Sequence, residues 1–407
     1  MRLLLGISGG IAAYKAADLA RLLTREGHQV RCVLTAGGAR FITPLTLASL
    51  TGETVHGANP ELHEWRPSPA IEHIELARWA ELVALVPATA NLIGKAANGL
   101  ADDLVSTILL ATRAPILWAP AMNSQMWAHP AVQANVERLR SFGHRIVEPA
   151  EGLLACGEEG SGKLAEVETI AEAIRMMGSP RLPALESRAV LVTAGPTRED
   201  LDPVRTLTNR SSGAMGVALA RAFRDAGARV HLVLGGDLPA PLGVETQRVR
   251  SAQEMLEACE SQWAWMDGVV AAAAVADQRP DHAAPEKVKK GEGPESLTLV
   301  RTPDILAALS AKKRPGQWLL GFAAESERHL ENAAVKLMKK GLDAVLVNDV
   351  QGGRGFGAQA NTLTPVTPQG PQAPLGPLPK DELAKAVVAW WGDRLSRMAE
   401  AGSRQPA

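Results

Sequence analysis

Both halves of the sequence contain glycine-rich or small polar turns of the kind that bind anions. In the first half such turns occur at 6–10 (Gly-Ile-Ser-Gly-Gly), 35–38 and 87–91, each at the end of a short apolar run. The backbone N–H groups of these turns, and the first turn of a following helix, can bind a phosphate. Because ligands of open α/β sheets bind beyond the carboxyl ends of the strands, the three turns predict one shared crevice.

Three side chains of the first half could take part in proton transfer or bind a carboxylate. His73 can exchange a proton near neutral pH, Asn123 carries an amide, and the thiol of Cys156 lies in a polar loop beside a glycine. Each residue type also has a purely structural use. A histidine can make a structural hydrogen bond, an asparagine can cap a helix, and a cysteine can act as a small apolar side chain.

The second half places cationic and acidic residues near a second set of turns. The segment 208–216 (Thr-Asn-Arg-Ser-Ser-Gly-Ala-Met-Gly) is typical of a helix N-terminus, and with Arg205 and Arg210 nearby it could also hold phosphates. Asp277 follows a predicted buried strand, and three lysines occur within 287–290. Such a charge run is usually a solvated loop, but lysines also stabilise the negative charge of phosphoryl chemistry.

Short apolar runs alternate with helical patterns in both halves, as expected for parallel sheets covered by helices on both faces. The predicted strands are 3–8, 30–35, 82–86, 115–119, 189–193, 230–234, 268–272, 318–321 and 344–347. The predicted helices are 11–26, 102–112, 125–142, 211–226 and 380–398. The segment 352–378, rich in glycine, proline and glutamine, is predicted to be a loop with one or two short edge strands. The predicted fold class is α/β, with two doubly wound domains.

The periodicity stops at 178–183, where one glycine and two prolines lie within six residues. This composition predicts a linker between two domains. The predicted organisation is a first domain at 1–178, a linker at 179–188, a second domain at 189–398 and a disordered tail at 399–407.

The composition excludes several classes of protein. The chain has 407 residues, of which 46% are hydrophobic and 21% charged, as in an average globular protein with two or three domains. A net charge of −1 gives no reason to expect nucleic acid or an anionic membrane as a partner. Three cysteines, no signal-peptide pattern and no apolar window long enough for a membrane span indicate a cytoplasmic protein.

The first half resembles the flavin-dependent cysteine decarboxylases, because five motifs occur in the order found in that family. They are Gly-Ile-Ser-Gly-Gly-Ile-Ala-Ala-Tyr-Lys (6–15), His-Ile-Glu-Leu (73–76), Pro-Ala-Thr-Ala-Asn (87–91), Pro-Ala-Met-Asn-Ser-Gln-Met-Trp (120–127) and Ala-Cys-Gly-Glu (155–158). The resemblance implies a flavodoxin-like domain that binds FMN and decarboxylates phosphopantothenoylcysteine. The residues that it implies for FMN are Ser8, Gly9, Gly10, Thr35, Thr89 and Asn91.

The same resemblance implies a role for each of the three candidate side chains. His73 matches the base that removes the substrate thiol proton, Asn123 the residue that holds the substrate carboxylate, and Cys156 the acid that protonates the enethiolate. Decarboxylation leaves a carbanion that needs an electron sink, and the acylated amine of the substrate cannot form a Schiff base. A flavin that oxidises the thiol and later returns the electrons provides that sink without net redox change.

The second half resembles the phosphopantothenoylcysteine synthetase domain over about residues 188–350. The matching motifs are Asn-x-Ser-Ser-Gly-x-Met-Gly (209–216), Ala-Val-Ala-Asp (274–277), Lys-x-Lys-Lys (287–290), Thr-Pro-Asp-Ile (302–305), Gly-Phe-Ala-Ala-Glu (321–325) and Val-Asn-Asp-Val (347–350). The resemblance implies a Rossmann-like ligase that uses CTP to activate 4′-phosphopantothenate as an acyl-cytidylate. The amine of cysteine then attacks this intermediate.

The resemblance also implies the residues of the ligase site. Those that match the family's CTP-binding residues are Ala271, Ala272, Ala273, Asp277, Lys287, Pro303, Asp304, Ile305, Leu306, Phe322, Lys336 and Lys340. Asn209 matches a residue that engages the acyl-cytidylate, and Lys287 is also a candidate catalytic residue. Mg²⁺ is implied by the triphosphate, but no carboxylate cluster identifies its ligands. Ala214 stands where the family commonly has lysine, and Arg210 could supply that cation instead.

Together the two resemblances predict a bifunctional enzyme of coenzyme A biosynthesis that acts on 4′-phosphopantothenate, cysteine and CTP. They imply a homo-oligomer with trimer-based flavin sites and dimeric ligase domains, which a dodecamer would combine. Two alternatives remain open: a two-domain flavin or nicotinamide oxidoreductase, and a non-catalytic regulatory homologue. The missing G-x-G-x-x-G fingerprint argues against the first, and the joint presence of His73, Asn123 and Cys156 argues against the second.

Overall fold

The computed structural model describes residues 1–57, 71–153, 157–289, 296–325, 328–349 and 360–402. The chain divides into two compact units, Met1–Ser179 and Pro180–Ala407. Each unit has its own sheet and its own hydrophobic core. Within the described ranges, no helix combines the length and the apolar character that crossing a membrane requires.

The first unit is built on a parallel five-stranded sheet. Its strands are β1 (Arg2–Ile7), β2 (Gln29–Leu34), β3 (Leu82–Ala88), β4 (Ile116–Pro120) and β5 (Arg145–Ile146), in the order β2-β1-β3-β4-β5. Every residue of β3 is buried, because helices cover both faces of the sheet and only a continuous apolar run fits there. The order reverses between β1 and β3, which is where doubly wound sheets of this order bind ligands.

The helices of the first unit lie between and after these strands. They are α1 (Lys15–Arg25), α2 (Pro44–Thr51), α3 (Glu72–Trp79), α4 (Ala90–Ala97), α5 (Leu104–Ala111), α6 (Ser124–Ala128), α7 (Pro130–Ser141) and α8 (Val167–Gly178). An antiparallel hairpin of β6 (Ala150–Leu153) and β7 (Glu159–Lys163) precedes the last of them.

Two predicted helices of the first unit differ in the structure. The predicted helix 11–26 begins as a 3₁₀ turn, Ile11–Tyr14, and becomes α-helical only at α1. The predicted helix 125–142 is two helices, α6 and α7, because Pro130 has no N–H to donate and starts a new helix. His129 Nδ1 accepts a hydrogen bond from Ala131 N at 3.2 Å and caps this second helix.

The second unit is built on a larger, mostly parallel sheet. Its strands are β8 (Ala189–Ala194), β9 (Arg198–Asp200), β10 (Thr206–Thr208), β11 (Arg229–Gly235), β12 (Glu245–Val249), β13 (Gly268–Ala271), β14 (Gln278–Pro280), β15 (Leu299–Arg301), β16 (Trp318–Glu325), β17 (Ala344–Asp349), β18 (Ala360–Thr367), β19 (Gly370–Pro371) and β20 (Leu375–Pro379). Six parallel strands run in the order β12-β11-β8-β13-β16-β17, so the order reverses between β8 and β13. Antiparallel β18, β19 and β20 complete the nine-stranded sheet, and β9–β10 and β14–β15 form separate pairs.

The segment 352–378 contains more strand than predicted. Within its described part, the eight-residue β18 pairs with β17 on one side and with β19 and β20 on the other. Alternate residues at the start of β18 are buried, among them Asn361 and Leu363. This period of two favours a strand, although the neighbouring glycines and prolines favour a loop. The prediction of a loop with short edge strands is therefore wrong here.

Helices cover both faces of the second sheet. They are α9 (Ala214–Asp225), α10 (Ala252–Trp263), α11 (Ile305–Ala311), α12 (His329–Lys339) and α13 (Lys380–Gly402). One face packs around three aromatic rings, with centroids 6.0 Å apart for Phe223 and Trp318 and 5.2 Å apart for Trp318 and Trp391. Helix α13 continues to Gly402, beyond its predicted end at Met398.

The segment 179–188 packs on the second unit from Leu182 onward. Leu182 N donates a hydrogen bond to Ala226 O at 2.9 Å, and Leu185 is fully buried in the core of that unit. The two sheets, one wholly and one mostly parallel, confirm the prediction of an α/β chain with two doubly wound domains.

Candidate functional site

Ser8 links the turn that follows β1 to the end of β3 and the residue after it through two hydrogen bonds. Its hydroxyl donates a hydrogen bond to Pro87 O at 2.7 Å and accepts one from Thr89 N at 2.9 Å. Because Ser8 is only 2% exposed, both bonds are shielded from water. Ser8 therefore maintains the shape of the turns, and its hydroxyl proton is already used within the chain.

Gly9 brings the turn after β1 against the turn after β2. A Cβ atom at Gly9 would lie 2.7 Å from the backbone carbonyl carbon of Gly37, so only glycine permits this approach. Thr35 N donates to Ile7 O at 3.1 Å, and the Thr35 hydroxyl accepts a hydrogen bond from Gly38 N at 3.0 Å. The three turns of the first half therefore meet at one edge of the sheet.

The same edge carries the beginning of α4. Thr89 caps this helix by accepting a hydrogen bond from Leu92 N at 3.4 Å, and Asn91 lies in the first turn with an exposed side chain. A Cβ atom at Gly10 would lie 3.8 Å from the Thr89 methyl group, an ordinary contact distance. The first N–H groups of a helix have no partner within it, so this edge fits a ligand with a phosphate group.

Asn123 follows β4 and caps α6. Its carbonyl oxygen accepts a hydrogen bond from Gln125 N at 2.8 Å, and its amide Nδ2 donates to Glu158 Oε2 at 2.9 Å. Ala121 N donates to Ala88 O at 3.1 Å, which places this loop at the edge of the sheet where β3 ends. The amide group of Asn123 thus binds a carboxylate, and that carboxylate belongs to the chain itself.

His73 lies in the first turn of α3 with a partly exposed side chain. A carboxylate oxygen of the neighbouring Glu72 lies 2.7 Å from His56 Nδ1. Among the described residues, no hydrogen bond or ion pair joins His73 to Asn123 or to the turns after β1, β2 and β3. The structure therefore brings together the predicted phosphate-binding turns and Asn123, but it does not connect His73 to them.

The part of the chain that the structure describes contains neither a reactive thiol nor a metal cluster. Cys32 and Cys259 are buried, and burial raises the pKa of each thiol to about 12, which excludes both as acids near neutral pH. The predicted acid, Cys156, lies outside the described residues. Within the described ranges, no group of three or more His, Cys, Asp or Glu side chains could hold a metal ion.

In the second unit, Asn209 is bound to the segment that follows β13. Its amide Nδ2 donates to the carbonyl oxygens of Ala274 at 3.3 Å and Val275 at 2.9 Å. Ala276 N donates to Oγ1 of the buried Thr197 at 2.9 Å, which holds the same segment beside the end of β8. Because both partners of the Asn209 amide are acceptors, its orientation is fixed and its carbonyl oxygen can accept hydrogen bonds from a ligand.

Four residues predicted to bind a nucleotide meet in two contacts near β16. Lys336 of α12 donates to Phe322 O at 2.7 Å. Lys340 forms an ion pair with Asp304 at 2.8 Å, and Asp304 caps α11 by accepting a hydrogen bond from Ala307 N at 3.1 Å. Partial burial acts to raise the pKa of Asp304, but the hydrogen bonds from Lys340 and Ala307 outweigh it and leave the pKa below its ordinary value.

The alanine run predicted for the nucleotide lies between β8 and β16. Ala271 is in register with Gly321 of β16, and the N–H groups of Ala272 and Ala273 donate to the backbone and side-chain oxygens of Thr193 at 3.2 and 3.3 Å. Small side chains at this point leave room for a ligand beside the strand ends.

Asp277 and the segment 303–306 are neighbours in the structure. The Asp277 side chain is exposed, and its backbone oxygen accepts a hydrogen bond from Thr302 N at 3.1 Å, next to Pro303. Ile305 and Leu306 are buried in the core, so a nucleotide could meet only their backbone.

Lys287 lies on an exposed segment that is anchored at Asp202. Val288 N donates to Oδ2 of the buried Asp202 at 3.3 Å. Among the described residues, no hydrogen bond or ion pair joins Lys287 to the Asp304–Lys340 pair. The hydrogen bonds and ion pairs of the described residues thus connect several predicted nucleotide residues near β16 but do not connect them to Lys287.

The turn before α9 is tightly packed at the point where the strand order of the second sheet reverses. Gly213 has a φ of 78°, and a Cβ atom there would lie 2.7 Å from Gly195 Cα. Ala214 begins the helix directly after this turn, and the side chain of Arg210 is exposed just before it. An exposed arginine therefore lies beside the start of this helix.

The sequence did not reveal that Glu158 contacts the predicted site residue Asn123, or that Asp202 contacts Val288, the neighbour of Lys287. Asp202 and Arg205 are close in sequence, so a local turn could be expected from them. The bond from Asp202 to Val288 spans 86 residues and has no local pattern that predicts it. The bond between Asn123 and Glu158 likewise depends on how the β6–β7 hairpin folds back.

Both halves of the chain match models of protein families. Residues 1–178 match the family described as Flavoprotein. Residues 185–393 match the family described as DNA/pantothenate metabolism flavoprotein C-terminal domain.

Several curated proteins are similar along most of the chain. The coenzyme A biosynthesis bifunctional protein CoaBC of Vibrio parahaemolyticus is 43% identical over 367 residues, which cover 89% of this chain and 91% of that protein. The protein of the same name from Bacillus subtilis is 46% identical over 365 residues, or 89% of each chain. A solved structure described as an FMN-dependent cysteine decarboxylase, SpaF, is 34% identical and covers 44% of this chain and 98% of its own, with a TM-score of 0.38.

Proposed function

The chain belongs to the CoaBC family of coenzyme A biosynthesis bifunctional proteins, and from this premise we propose how its two units divide the chemistry. The protein combines phosphopantothenoylcysteine decarboxylase and phosphopantothenate–cysteine ligase activities. In our proposal the first unit decarboxylates and the second unit ligates. The observation that best supports this is that the Flavoprotein family matches residues 1–178, whereas a separate pantothenate-metabolism family matches residues 185–393.

In the first unit, FMN would bind where the turns after β1, β2 and β3 meet. The residues that would hold it are Gly9, Gly10, Thr35, Thr89 and Asn91, and Ser8 would shape the turns around it, because its hydroxyl and backbone N–H are bound within the chain. The close contact of Gly9 with Gly37 and the helix that begins after Thr89 support a phosphate site, because small residues and a helix start share this edge. When bound, FMN would supply a reversible two-electron acceptor for the substrate thiol.

The polar side chains of this unit would handle the protons and the carboxylate of the substrate. Asn123 would hold the carboxylate through Nδ2, so the substrate would replace the Glu158 carboxylate as the acceptor of that hydrogen bond. The cap bond to Gln125 N keeps the amide of Asn123 oriented for this exchange. His73 would take the proton of the thiol, and Cys156 would protonate the enethiolate.

In the second unit, CTP would bind beside β13 and β16. The residues that would line the nucleotide are Ala271, Ala272, Ala273, Asp277, Pro303, Asp304, Ile305, Leu306, Phe322, Lys336 and Lys340. Lys340 is already paired with Asp304, so we assign the main phosphate contact to the exposed Lys287. A cation there would stabilise the charge that develops as pyrophosphate leaves.

Asn209 would act in the second half of the ligation. Its amide hydrogens are bound to Ala274 and Val275, so what it offers a ligand is its carbonyl oxygen. A carbonyl oxygen accepts hydrogen bonds from an amine but not from an unprotonated phosphate. Asn209 would therefore orient the cysteine amine as it attacks the acyl-cytidylate.

Mg²⁺ would accompany the triphosphate of CTP. The described residues contain no cluster of three acidic or imidazole side chains, so phosphate oxygens and water would be its main ligands.

We further propose that neighbouring copies complete the first site. Four apolar side chains, Ile11, Tyr14, Phe41 and Leu45, lie on the elements that follow β1 and β2, and each is at least 48% exposed. A neighbouring copy would cover this apolar surface, as the trimer-based arrangement implied by the family requires.

The experiment that tests the division of labour is Lys287→Ala. Loss of this cation should lower the ligation rate about 10²–10³-fold, because one transition-state contact to a developing negative charge is removed. Decarboxylation of supplied phosphopantothenoylcysteine should remain near the wild-type rate. Both rates are measured on the same purified protein, with CTP, cysteine and 4′-phosphopantothenate for the first and the thiol substrate for the second.

Lys385→Ala is the matched control, because it removes the same charge from an exposed helix position where, among the described residues, the lysine pairs with Glu382 alone. It should change neither rate. Wild-type ligation by Lys287→Ala at saturating CTP would mean that the nucleotide phosphates lie elsewhere.

A further inference from the structure

Asp202 is a buried carboxylate with an unusually complete set of hydrogen-bond donors. It is 1% exposed and accepts hydrogen bonds from Val204 N at 2.8 Å and Arg205 N at 2.9 Å. The guanidinium of Arg205 adds two more, from Nε at 2.9 Å and Nη2 at 2.5 Å. A buried carboxylate is tolerated only when both of its oxygens accept hydrogen bonds, as both oxygens of Asp202 do.

One further bond of Asp202 reaches the segment that carries Lys287. Val288 N donates to Asp202 Oδ2 at 3.3 Å, and Arg205 Nη2 donates to Val288 O at 3.2 Å. Both polar groups of the Val288 backbone are therefore bound by the Asp202–Arg205 pair. One more hydrogen bond joins the two segments: Ala284 N donates to the backbone oxygen of Leu201, the residue before Asp202, at 2.9 Å.

A purely local role for Asp202 would not require these contacts. An aspartate that shapes its own turn needs only the N–H groups two and three residues later, which Asp202 also binds. The bonds to Val288 join residues 86 positions apart and hold the backbone on the C-terminal side of Lys287. The side chain of Lys287 itself is exposed, so this backbone anchor is what limits where its ammonium group can reach.

We propose that Asp202 is a positioning residue of the ligase, which holds the 284–289 segment so that Lys287 reaches the phosphates of the nucleotide. The proposal rests on the proposed role of Lys287. Hydrogen bonds from Arg205 and from the backbone N–H groups hold the pKa of Asp202 well below its usual range. The anchor is therefore charged throughout the pH range of an enzyme assay.

The test is Asp202→Asn, which keeps the size of the side chain but removes its charge. The KM for CTP should rise about tenfold or more, as expected when a charge-assisted anchor is lost. The KM for cysteine and the decarboxylation rate should stay near wild type. Asp200→Asn is the matched control, since Asp200 lies two residues away, has a side chain that is 41% exposed and, among the described residues, forms its ion pair with Arg250. It should leave all of these values unchanged.

A double-mutant cycle with Lys287→Ala separates positioning from general support of the fold. If Asp202 acts through Lys287, the loss caused by Lys287→Ala should shrink at least several-fold in the Asp202→Asn background. If the losses caused by Asp202→Asn and Lys287→Ala instead add in full, the positioning proposal is wrong, even when Lys287→Ala shows that Lys287 is essential. No effect of Lys287→Ala in the wild-type background would instead refute the proposed function.

Asp202→Glu is the second variant, in case the asparagine variant does not fold. It keeps the charge but displaces the oxygens by about one carbon–carbon bond, so the KM for CTP should rise less than in Asp202→Asn. Hydrogen exchange of the Val288 amide should be faster in this variant than in wild type, while exchange in β8 stays the same. Unchanged exchange at Val288 together with a wild-type KM for CTP would contradict the anchor.

Discussion

At the residue scale, the first site depends on a contact between two backbones. Gly9 and Gly37 approach so closely that a Cβ atom on Gly9 would meet backbone atoms at 2.7 and 2.8 Å. Backbone atoms cannot rotate away as the end of a flexible side chain can. A methyl group at Gly9 would therefore separate the turns after β1 and β2.

We expect Gly9→Ala to lower the free energy of unfolding by about 1–3 kcal/mol, which is the usual cost of overpacking a tight site. The purified variant should also retain much less flavin than wild type. Chemical unfolding followed by fluorescence measures the first effect, and the visible absorbance per mole of protein measures the second.

Gly10→Ala is the control for stability, because its Cβ atom would lie at an ordinary 3.8 Å from the Thr89 methyl group. Its free energy of unfolding should change by less than about 0.5 kcal/mol. Equal destabilisation by both substitutions would show that the Gly9–Gly37 contact is not the limiting feature.

The sequence predicted which residues gather at the strand ends, but not what their side chains do there. The turns at Ser8 and Thr89 could be placed because parallel strands bring their carboxyl ends to one edge. That the Ser8 hydroxyl bonds to Pro87 and Thr89 depends on a side-chain direction that no local pattern specifies. The Asp304–Lys340 pair joins residues 36 positions apart for the same reason.

At the scale of elements, α11 begins at a residue with two functions. Asp304 caps the helix through Ala307 N and also binds the ammonium group of Lys340. The cap requires only an oxygen acceptor, whereas the ion pair requires a charge. Substitutions at Asp304 can therefore separate the two contributions.

We expect Asp304→Ala to lower the free energy of unfolding by about 1 kcal/mol or more, because both the cap and the ion pair are lost. Asp304→Asn keeps the cap and should cost at most about 1 kcal/mol, the range of a partly exposed ion pair. Because the folded pKa of Asp304 is lowered, the ion pair stabilises above about pH 4 and is lost as the pH falls below it. Urea unfolding should thus show a smaller cost of Asp304→Asn at pH 3.5 than at pH 7, because the ion pair is progressively lost as the pH falls through the lowered pKa of Asp304.

The end of an element could be predicted where a single residue determines it. It could not be predicted where the element exists only because it pairs with strands that are distant in sequence. Pro130 splits the predicted helix 125–142 for a reason visible in the sequence. Strand β18 is stabilised by β17 on one side and by β19 and β20 on the other, and its composition alone favours a loop. The strand thus forms because its neighbours supply the backbone partners that it lacks by itself.

At the scale of the whole molecule, the border between the two units lies between Ser179 and Pro180, so most of the segment suggested as a linker belongs to the second unit. Leu185 is fully buried in the core of the second unit, and Arg229 N donates to Arg188 O at 2.8 Å. The segment 180–188 thus contributes packing and backbone hydrogen bonds to the second unit. A proline-rich stretch can be predicted to interrupt the periodicity, but not to which side its leucines will pack.

We expect Leu185→Ala in the full-length protein to destabilise the second unit by about 2–5 kcal/mol, as for other buried leucines. Ligation should be lost at a lower urea concentration than in wild type, while decarboxylation is lost at the unchanged concentration. Leu297→Ala, which shortens a leucine that is 48% exposed, should shift neither midpoint measurably. Equal shifts of both activities by Leu185→Ala would show that the units do not unfold separately.

The two hydrogen bonds of Ser8 lie entirely within the chain, so the first binding edge is preorganised once its sheet has formed. A preorganised site loses little conformational entropy when a ligand binds, so little of the interaction free energy is spent on ordering the protein. A cofactor held there stabilises the native state by mass action, in proportion to the logarithm of its free concentration. The cellular supply of flavin would then govern how long the first unit survives proteolysis as well as how fast it works.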